Sequence, residues 1–248
     1  MKRFENKVAL VTGAASGMGL LSCQMLAQEG AHVLMMDINE EVLEKEAVQI
    51  RAQGGDAIAM KTDVRRYEDI EAAVEKAMSL YGHVDITISF AGGAPSRMCK
   101  VGKPFHQLPI EVLDWGVEVN FRAPMYMARA AMQHMMDQGS GVIINIGSTS
   151  GETGTRSGAD YSAEKSGIAY GLTKSIAAAG APYGVRCCAV SPGPVLTRAA
   201  MANMKTALGR AAEPVEVVKL VLYLCSQDAA FITGVNYVID GGRALLLP

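Results

Sequence analysis

The chain has 248 residues, half of them hydrophobic, and contains 26 glycines but few aromatic side chains. This composition excludes a disordered chain, and the length fits one large α/β domain better than two. The formal net charge is only −2, so we expect a small-molecule substrate and neither a nucleic acid nor a membrane as a partner.

Short apolar runs alternate with helical patterns along the chain, which is typical of βαβ units that wind a parallel sheet. Seven strands are predicted at residues 7–11, 32–36, 57–61, 84–89, 142–146, 185–190 and 235–239. Helices are predicted at residues 17–28, 40–53, 68–80, 110–137, 160–179 and 214–225. We therefore expect a single Rossmann-type α/β domain over residues 1–248, with strand order 3-2-1-4-5-6-7 and helices on both faces of the sheet.

Three long loops follow the carboxyl ends of strands, at residues 93–109, 149–160 and 194–213, where ligands bind in such sheets. We expect them to contact the substrate. They carry six cations that either attract an anionic group or are simply solvated: Arg97, Lys100, Lys103, Arg156, Arg198 and Lys205. Cysteines and histidines lie at irregular spacing, so no metal site is expected. The sequence has neither a signal-like segment nor an apolar stretch long enough for a membrane span, which predicts a cytoplasmic protein.

A glycine cluster links the first predicted strand to an apolar helix. It contains Gly13, Gly17 and Gly19, with Ser16 and Met18 between them. Such glycines permit a tight turn and let the backbone approach a pyrophosphate at the amino end of the helix. Taken alone, the cluster is also compatible with an ordinary strand-to-helix turn.

Asp37 ends the second predicted strand, 20 residues after Gly17. A carboxylate there can accept hydrogen bonds from an adenosine ribose and would repel a 2′-phosphate, which favours NAD over NADP. Asp63 and Val64 follow the third strand and could receive the adenine amino group and line its pocket. Asp63 could instead be a turn or helix-capping residue.

Tyr161 and Lys165 lie four residues apart on one predicted helix, so their side chains share a face. A nearby ammonium should lower the pKa of the phenol toward working pH, where it serves as a general acid and base. Such a pair arises by chance in many helices. Ser148 strengthens it, because this residue follows the fifth strand and can present its hydroxyl to the tyrosine.

Taken together, these motifs resemble those of the short-chain dehydrogenase/reductase family over essentially the whole chain. The matching positions are TGxxxGxG at residues 12–19, Asp37, Asp63 with Val64, Asn120, Ser148, Tyr161 with Lys165, and Pro192 with Gly193. The resemblance implies that Tyr161 exchanges the substrate proton and Ser148 polarises the substrate oxygen. Lys165 would bind the nicotinamide ribose and tune the tyrosine, and Asn120 would hold a water that links the lysine to solvent.

The resemblance also assigns further cofactor contacts. The segment with Pro192, Gly193, Val195 and Thr197 would pack on the nicotinamide and hold its carboxamide. After the fourth strand, the usual Asn-Asn-Ala-Gly is replaced by Ser-Phe-Ala-Gly at residues 89–92. Ala91 and Gly92 still permit close approach of the cofactor, whereas loss of the first amide should weaken a bond between neighbouring strands.

The function expected from this resemblance is an NAD-dependent oxidoreductase that interconverts a secondary alcohol and a ketone, with a small polyol, sugar or hydroxy compound as substrate. One alternative is a 3-oxoacyl thioester reductase, because residues 208–214 resemble the matching segment of those enzymes. Another is a catalytically silent nucleotide-binding protein. Family members are commonly tetramers, and the apolar tail at residues 244–248 would be a liability in a monomer, so a homotetramer is expected.

Overall fold

A computed structural model describes residues 2–156 and 158–246 of the chain. Met1 of the expected domain and Ser157 of the second substrate loop lie outside the described residues. Leu247 and Pro248, the end of the apolar tail, also lie outside them.

Seven parallel strands form one sheet in the order β3-β2-β1-β4-β5-β6-β7, which confirms the predicted fold. The strands are β1 (Val8–Thr12), β2 (His32–Asp37), β3 (Asp56–Lys61), β4 (Ile86–Ser89), β5 (Gly141–Ile146), β6 (Val185–Pro192) and β7 (Asn236–Ile239). Each predicted strand overlaps an observed one, and the ends differ by at most two residues.

Ten α-helical segments are described. They are α1 (Gly17–Gln28), α2 (Glu40–Ala52), α3 (Tyr67–Tyr81), α4 (Pro95–Met98), α5 (Ile110–Gly116), α6 (Ala123–Asp137), α7 (Ser150–Thr153), α8 (Ala159–Ser166), α9 (Thr173–Gly180) and α10 (Pro214–Cys225). The short helices α4 and α7 lie inside the expected substrate loops. Among these segments, none is long and apolar enough to cross a membrane.

The two longest predicted helices each contain a π-helical turn, a feature that the periodicity did not predict. Val117–Arg122 separates α5 from α6, and Gly167–Leu172 separates α8 from α9. In the first turn, the N–H of Ala123 donates to Glu118 O, five residues back. Pro124 follows directly and has no N–H to continue the ordinary helical pattern, which explains why the pitch changes there.

The sheet is covered on both faces, and β1 shows why its first four residues are all apolar. Val8 and Leu10 join the hydrophobic cluster formed with α3, α6 and α9. Ala9 and Val11 face the opposite cluster, formed with α1, α2 and α10. Because successive side chains of a strand alternate between faces, a strand buried on both faces is apolar at successive positions until it reaches its carboxyl end.

The winding of the chain changes direction between β1 and β4. These strands are neighbours in the sheet although β2 and β3 intervene in sequence. A crevice forms outside the carboxyl ends of two strands at such a point. The glycine cluster after β1 and the loop after β4 both enter this crevice.

Candidate active site

The glycine cluster permits a close approach between the ends of β1 and β4. Gly13 has a φ of +68°, and a Cβ on it would lie 2.8 Å from the backbone nitrogen of Ala91. A Cβ on Gly19 would lie 2.2 Å from the carbonyl oxygen of Gly13. Any larger residue would therefore force α1 away from the strand that precedes it.

The amino end of α1 is suited to an anion. Ser16 occupies the N-cap position without a side-chain capping bond, and the first turn contains no acidic residue. The N–H groups of that turn and the helix dipole are thus available to a phosphate. A Cβ built on Gly17 would meet only the Thr197 methyl, at 3.9 Å, so the space above the turn is open.

A cleft of about 420 Å³ opens at this edge of the sheet. It brings together nine of the predicted cofactor-binding residues: Gly13, Ser16, Met18, Gly19, Asp37, Asp63, Val64, Ala91 and Gly92. Its remaining wall includes Phe90, Met98, Trp115 and Val119, of which the last three were not identified from the sequence. Only Val119, which directly precedes Asn120, adjoins a matched position, and Met98 and Trp115 had no such signal in the sequence.

Asp37 is anchored to the glycine turn. Its carboxylate accepts hydrogen bonds from the N–H of Ala15 at 3.1 Å and from the N–H of Asn39 at 3.0 Å. The end of β2 and the turn after β1 are therefore held together by the side chain that was predicted to contact the ribose.

Asp63 is held in a turn by Arg65, and its contact with the adenine amino group stays a prediction. Arg65 donates to its carboxylate from Nη2 at 2.6 Å and from Nε at 2.9 Å. The Arg65 side chain, through this hydrogen bond, lowers the pKa of Asp63, so the carboxyl remains ionised. The backbone N–H of Arg65 also donates to it, at 3.1 Å.

The residues that depart from the family pattern lie where they were expected to matter. Ser89 is buried and pairs in register with Thr12 on one side and Asn145 on the other. The Oδ1 atom of Asn145 is buried and has no partner among the described residues. Ala91 still reaches β1, because its N–H donates to Thr12 Oγ1 at 3.2 Å.

Ser148, Tyr161 and Lys165 lie together beside the cleft. Ser148 Oγ accepts the N–H of Ser150 at 3.1 Å. The Ser148 hydroxyl is near enough to the Tyr161 phenol to favour the phenolate and so to oppose the rise in the pKa of Tyr161. The Lys165 ammonium lies 5.7 Å from the centre of the Tyr161 ring. It is also close to Gly92, whose Cβ position lies 3.6 Å from Lys165 Nζ.

The expected lowering of the Tyr161 pKa by Lys165 is wrong for the free protein. Burial raises the pKa of the phenol, and the groups that oppose this effect are Ser148, Arg97 and Arg198. Lys165 instead donates to the carbonyl oxygen of Ile146 at 2.8 Å. Burial lowers the pKa of the ammonium to about 8. The shared helix face explains why the two groups lie near each other. It does not determine the direction in which the Tyr161 pKa shifts, because burial has the larger effect.

Asn120 is fully buried in the first π turn. Its Oδ1 accepts the N–H of Gly93 at 2.8 Å, and its Nδ2 donates to Gly93 O at 2.9 Å and to Glu164 Oε2 at 2.8 Å. The side chain is therefore used in clamping the loop after β4. Its backbone carbonyl lacks the N–H partner that residue 124 would ordinarily supply, because that residue is Pro124.

The predicted nicotinamide segment lies at the end of β6, beside the cleft. The N–H of Gly193 donates to Ile239 O at 2.9 Å, and a Cβ on Gly193 would lie 2.7 Å from the Cβ of Asp240. Pro192 accepts the Thr149 N–H at 3.1 Å, and Val195 pairs with Ala212. Thr197 is exposed near Gly17. Pro192, Gly193 and Val195 do not line the cleft described above.

Glu164 is a site residue that no sequence motif indicated. It is buried between Tyr161 and Lys165 in a helix of otherwise small and polar residues. An acidic residue next to Lys165, on a helix expected to pack against the sheet, was the available signal.

Comparison with known proteins extends over the whole chain. A family model described as enoyl-(acyl carrier protein) reductase matches residues 13–244. Cyclohexanol dehydrogenase of Acinetobacter sp. is 37% identical over 246 residues, covering 96% of this chain and 95% of that protein. The 7alpha-hydroxysteroid dehydrogenase of Bacteroides fragilis is 32% identical over 259 residues, covering 100% and 98%. The crystal structure of a short-chain type dehydrogenase/reductase from Mycobacterium marinum is 30% identical, with a TM-score of 0.88 and coverage of 97% and 96%.

Proposed function

The chain belongs to the short-chain dehydrogenase/reductase family of oxidoreductases, and from this premise we propose that it interconverts a secondary alcohol and a ketone with NAD as its cofactor. The observation that carries the proposal is the grouping of Ser148, Tyr161 and Lys165 next to a glycine-lined cleft. A proton-transfer group thus lies beside a site suited to a dinucleotide.

In the proposed mechanism, Tyr161 is the general acid and base. During oxidation it takes the proton of the alcohol oxygen, and during reduction it returns a proton to the carbonyl oxygen. Ser148 hydrogen-bonds the same substrate oxygen and orients it. The nicotinamide, when bound, accepts or supplies the hydride. Because burial raises the pKa of the phenol, positive charge near Tyr161 is required for it to act as a base.

Lys165 is proposed to supply part of that positive charge and to hydrogen-bond the nicotinamide ribose. Its ammonium has a pKa of about 8, so it is largely protonated at neutral pH. Asn120 is proposed to hold a water at its backbone carbonyl, through which the lysine exchanges protons with solvent. Its side chain positions the Gly93 backbone.

The preference for NAD rests on the charges around the cleft. Asp37 lies there beside the uncharged Ile38. Among the described residues that line the cleft, Arg65 is the single cation, and its guanidinium is paired with Asp63. A 2′-phosphate would meet the Asp37 carboxylate without an unpaired cation to offset the repulsion. Ser16, Met18 and Val64 complete the proposed adenosine and pyrophosphate contacts.

Two features support a small hydroxy compound as substrate. Relatives of this chain are named for cyclohexanol and a hydroxysteroid, which makes cyclic secondary alcohols the first compounds to examine. Arg97 and Arg198 also bring positive charge to the Tyr161 phenol, so hydroxy acids belong in the same panel. We propose that the substrate contacts come from residues 93–109, 149–160 and 194–213 of the single domain.

The alternative of a 3-oxoacyl thioester reductase draws on the description of the matching family model and on residues 208–214. Those residues lead into α10, whose first residue is Pro214, and the Arg210 guanidinium pairs with Glu216 of that helix at 2.6 Å. The position of Asp37 argues against the NADPH that biosynthetic reductases usually take.

We further propose a cytoplasmic homotetramer. Exposed apolar side chains include Phe231, Val238 and Leu245 near the carboxyl terminus, and Ile110 and Val117 on α5 and the adjoining π turn. Burial of such side chains between subunits would remove apolar surface from water, which supports an assembly.

The test is a panel of cyclic alcohols, polyols, hydroxy acids and a 3-oxoacyl thioester, with reduced nicotinamide followed by absorbance. We expect turnover of a secondary alcohol with NAD and at least about tenfold lower kcat/KM with NADP. Reduction of the thioester with NADPH as the best reaction would favour the alternative. Binding of both cofactors without turnover of any compound would favour a silent nucleotide-binding protein.

A further inference from the structure

Glu164 is a buried carboxyl group that the proposed mechanism does not use. It precedes Lys165 on α8, and only 6% of its surface is exposed. Its side chain lies at an apolar groove that includes Leu113, Val117 and Phe121. Burial of a carboxyl group is costly unless it is compensated by hydrogen bonds, so its partners indicate why it is tolerated.

The partner of Glu164 is the side chain of Asn120. Nδ2 of Asn120 donates to Glu164 Oε2 at 2.8 Å and to Gly93 O at 2.9 Å, while its Oδ1 accepts the Gly93 N–H at 2.8 Å. The amide is thus bonded through both of its donor hydrogens and its oxygen. One Nδ2 hydrogen of Asn120 bonds to the loop after β4, and Glu164 accepts the other. This second bond fixes the orientation of the amide group.

The surrounding backbone leaves room for this arrangement. A Cβ on Gly116 would lie 2.2 Å from Glu164 Oε1, so α5 accommodates the carboxyl group because that position is glycine. A Cβ on Gly92 would lie 2.5 Å from Asn120 Oδ1 and 3.6 Å from Lys165 Nζ. The carboxyl group, the amide and the loop beside the lysine therefore form one packed unit.

The charged groups around Glu164 come from its own helix. Burial raises the pKa of Glu164 to about 7, the Asn120 hydrogen bond opposes this shift, Asp160 adds to it, and Lys165 opposes it. Tyr161, on the same helix, also interacts with the Glu164 charge. Gly116 from α5 and Asn120 from the π turn pack against Glu164 and are not ionisable. Its Oε1 has no hydrogen-bond partner among the described residues.

We propose that Glu164 is a positioning residue for hydride transfer, which orients the Asn120 amide and thereby holds the Gly92–Gly93 backbone beside Lys165. This inference rests on the proposed function for the roles of Lys165 and Asn120. Ionised Glu164 is the stronger hydrogen-bond acceptor, so the unit is held most firmly above neutral pH and loosens as the carboxyl group is protonated.

Three variants distinguish a positioning role of Glu164 from a role in which its side chain only fills space. Glu164→Gln keeps an oxygen that can accept from Asn120 but does not titrate, whereas Glu164→Ala removes the acceptor. Asp160→Asn is the matched control, because it removes a neighbouring negative charge without contacting Asn120. We measure kcat and KM for the alcohol and for NAD from about pH 5 to about pH 10.

We expect Glu164→Ala to lower kcat by about tenfold or more with KM for NAD changed less than about threefold, and Glu164→Gln to restore kcat to within about threefold of the unmodified enzyme. The inflection that Glu164 produces in the pH profile near pH 7 should disappear in Glu164→Gln, whereas the one that Lys165 produces near pH 8 remains. The Glu164 inflection should persist in Asp160→Asn but move to lower pH. An unchanged kcat in Glu164→Ala, or an unchanged pH profile in Glu164→Gln, would overturn the proposal.

A crystal structure of Glu164→Ala without substrate gives a readout that is independent of turnover. We expect the Asn120 amide to rotate or the Gly93 loop to shift, with loss of at least one Asn120–Gly93 hydrogen bond. Unchanged Asn120–Gly93 bonds would overturn the positioning role even if the enzyme is inactive. Conversely, a changed structure together with full activity in Tyr161→Phe would contradict the proposed function and leave the positioning contact established.

Discussion

The ammonium of Lys165 donates to the carbonyl oxygen of Ile146, the last residue of β5, at 2.8 Å. This bond holds a buried cation at the carboxyl edge of the sheet, between the loop after β4 and the Tyr161 ring. Burial of the ammonium charge costs free energy, and for this reason the pKa of Lys165 is lowered to about 8. The buried charge does not favour the fold, which agrees with the role proposed for Lys165.

Replacing this lysine should therefore stabilise the fold while abolishing turnover. Because the folded-state pKa is about 8, below the ordinary 10.5, the cost of the buried charge is fully present below pH 8 and vanishes above about pH 10.5. We expect Lys165→Met to raise the free energy of unfolding at pH 7 by about 1 to 2 kcal/mol, after loss of the hydrogen bond to Ile146 O.

The control is Lys174→Met. Lys174 lies over the Tyr170 ring at 5.5 Å, with the same four-residue spacing, but on an exposed surface. Denaturant unfolding at pH 7 and near pH 10 should show no pH-dependent gain in that variant. A destabilised Lys165→Met at pH 7 would show that the buried charge contributes favourably to the fold.

The sequence contains two YxxxK pairs, which shows what local spacing can and cannot predict. Tyr161 with Lys165 and Tyr170 with Lys174 are alike as patterns, and both tyrosine rings have a lysine near them. They differ in burial, because Lys165 is buried whereas Tyr170 and Lys174 are exposed. They also differ in position, because, of these two lysines in the described part of the chain, only Lys165 bonds to the end of β5. Ser148, at the end of β5, was the clue in the sequence that selected the first pair.

The strands and their order followed from apolar runs and turn residues, since a strand buried on both faces has few alternatives. The π turns could not be predicted from the 3.6-residue period, because a single added residue per turn leaves the apolar pattern nearly unchanged. The contact between Glu164 and Asn120, 44 residues apart, required the packing of α8 against the π turn. The upward shift of the Tyr161 pKa could not be predicted either, because it results from burial in the folded chain, which local spacing does not report.

Asp37 should control the choice between the two nicotinamide cofactors. Asp37→Ser removes the charge that would repel a 2′-phosphate, and we expect the ratio of kcat/KM for NAD to that for NADP to fall by at least about tenfold. Glu40→Gln is the charge-matched control, since Glu40 is exposed and pairs with Lys61 at 3.4 Å. An unchanged ratio in Asp37→Ser would place cofactor discrimination elsewhere.

The close packing of the glycine cluster should not tolerate a methyl group. Gly19→Ala places a Cβ 2.2 Å from Gly13 O, so we expect a loss of stability of about 2 kcal/mol or more and weakened cofactor binding. Gly102→Ala is the control, because no atom of the residues that the structure describes lies within 4 Å of its Cβ position. Thermal unfolding and fluorescence titration with NADH measure the two effects. Equal stability of the two variants would contradict the packing described here.

Glu164 should impose a pH-dependent cost on stability. Its folded-state pKa of about 7 lies above the ordinary 4.5, so the folded chain binds more protons between these values and loses stability as pH rises from about 4.5 to about 7. Relative to the unmodified chain, Glu164→Gln should gain roughly 1 to 2 kcal/mol across that window. Urea unfolding at several pH values measures the difference. A difference that does not vary with pH would show that the carboxyl group titrates normally.

The proposed function requires the Tyr161 phenol to transfer the substrate proton, and Tyr161→Phe removes only the hydroxyl that does so. The measurement compares kcat for NAD-dependent alcohol oxidation in this variant and in Tyr170→Phe, with NADH binding checked in both. We predict that Tyr161→Phe binds NADH but loses at least about a thousandfold in kcat, while Tyr170→Phe keeps its activity. Turnover in Tyr161→Phe within about tenfold of the unmodified enzyme would contradict the account.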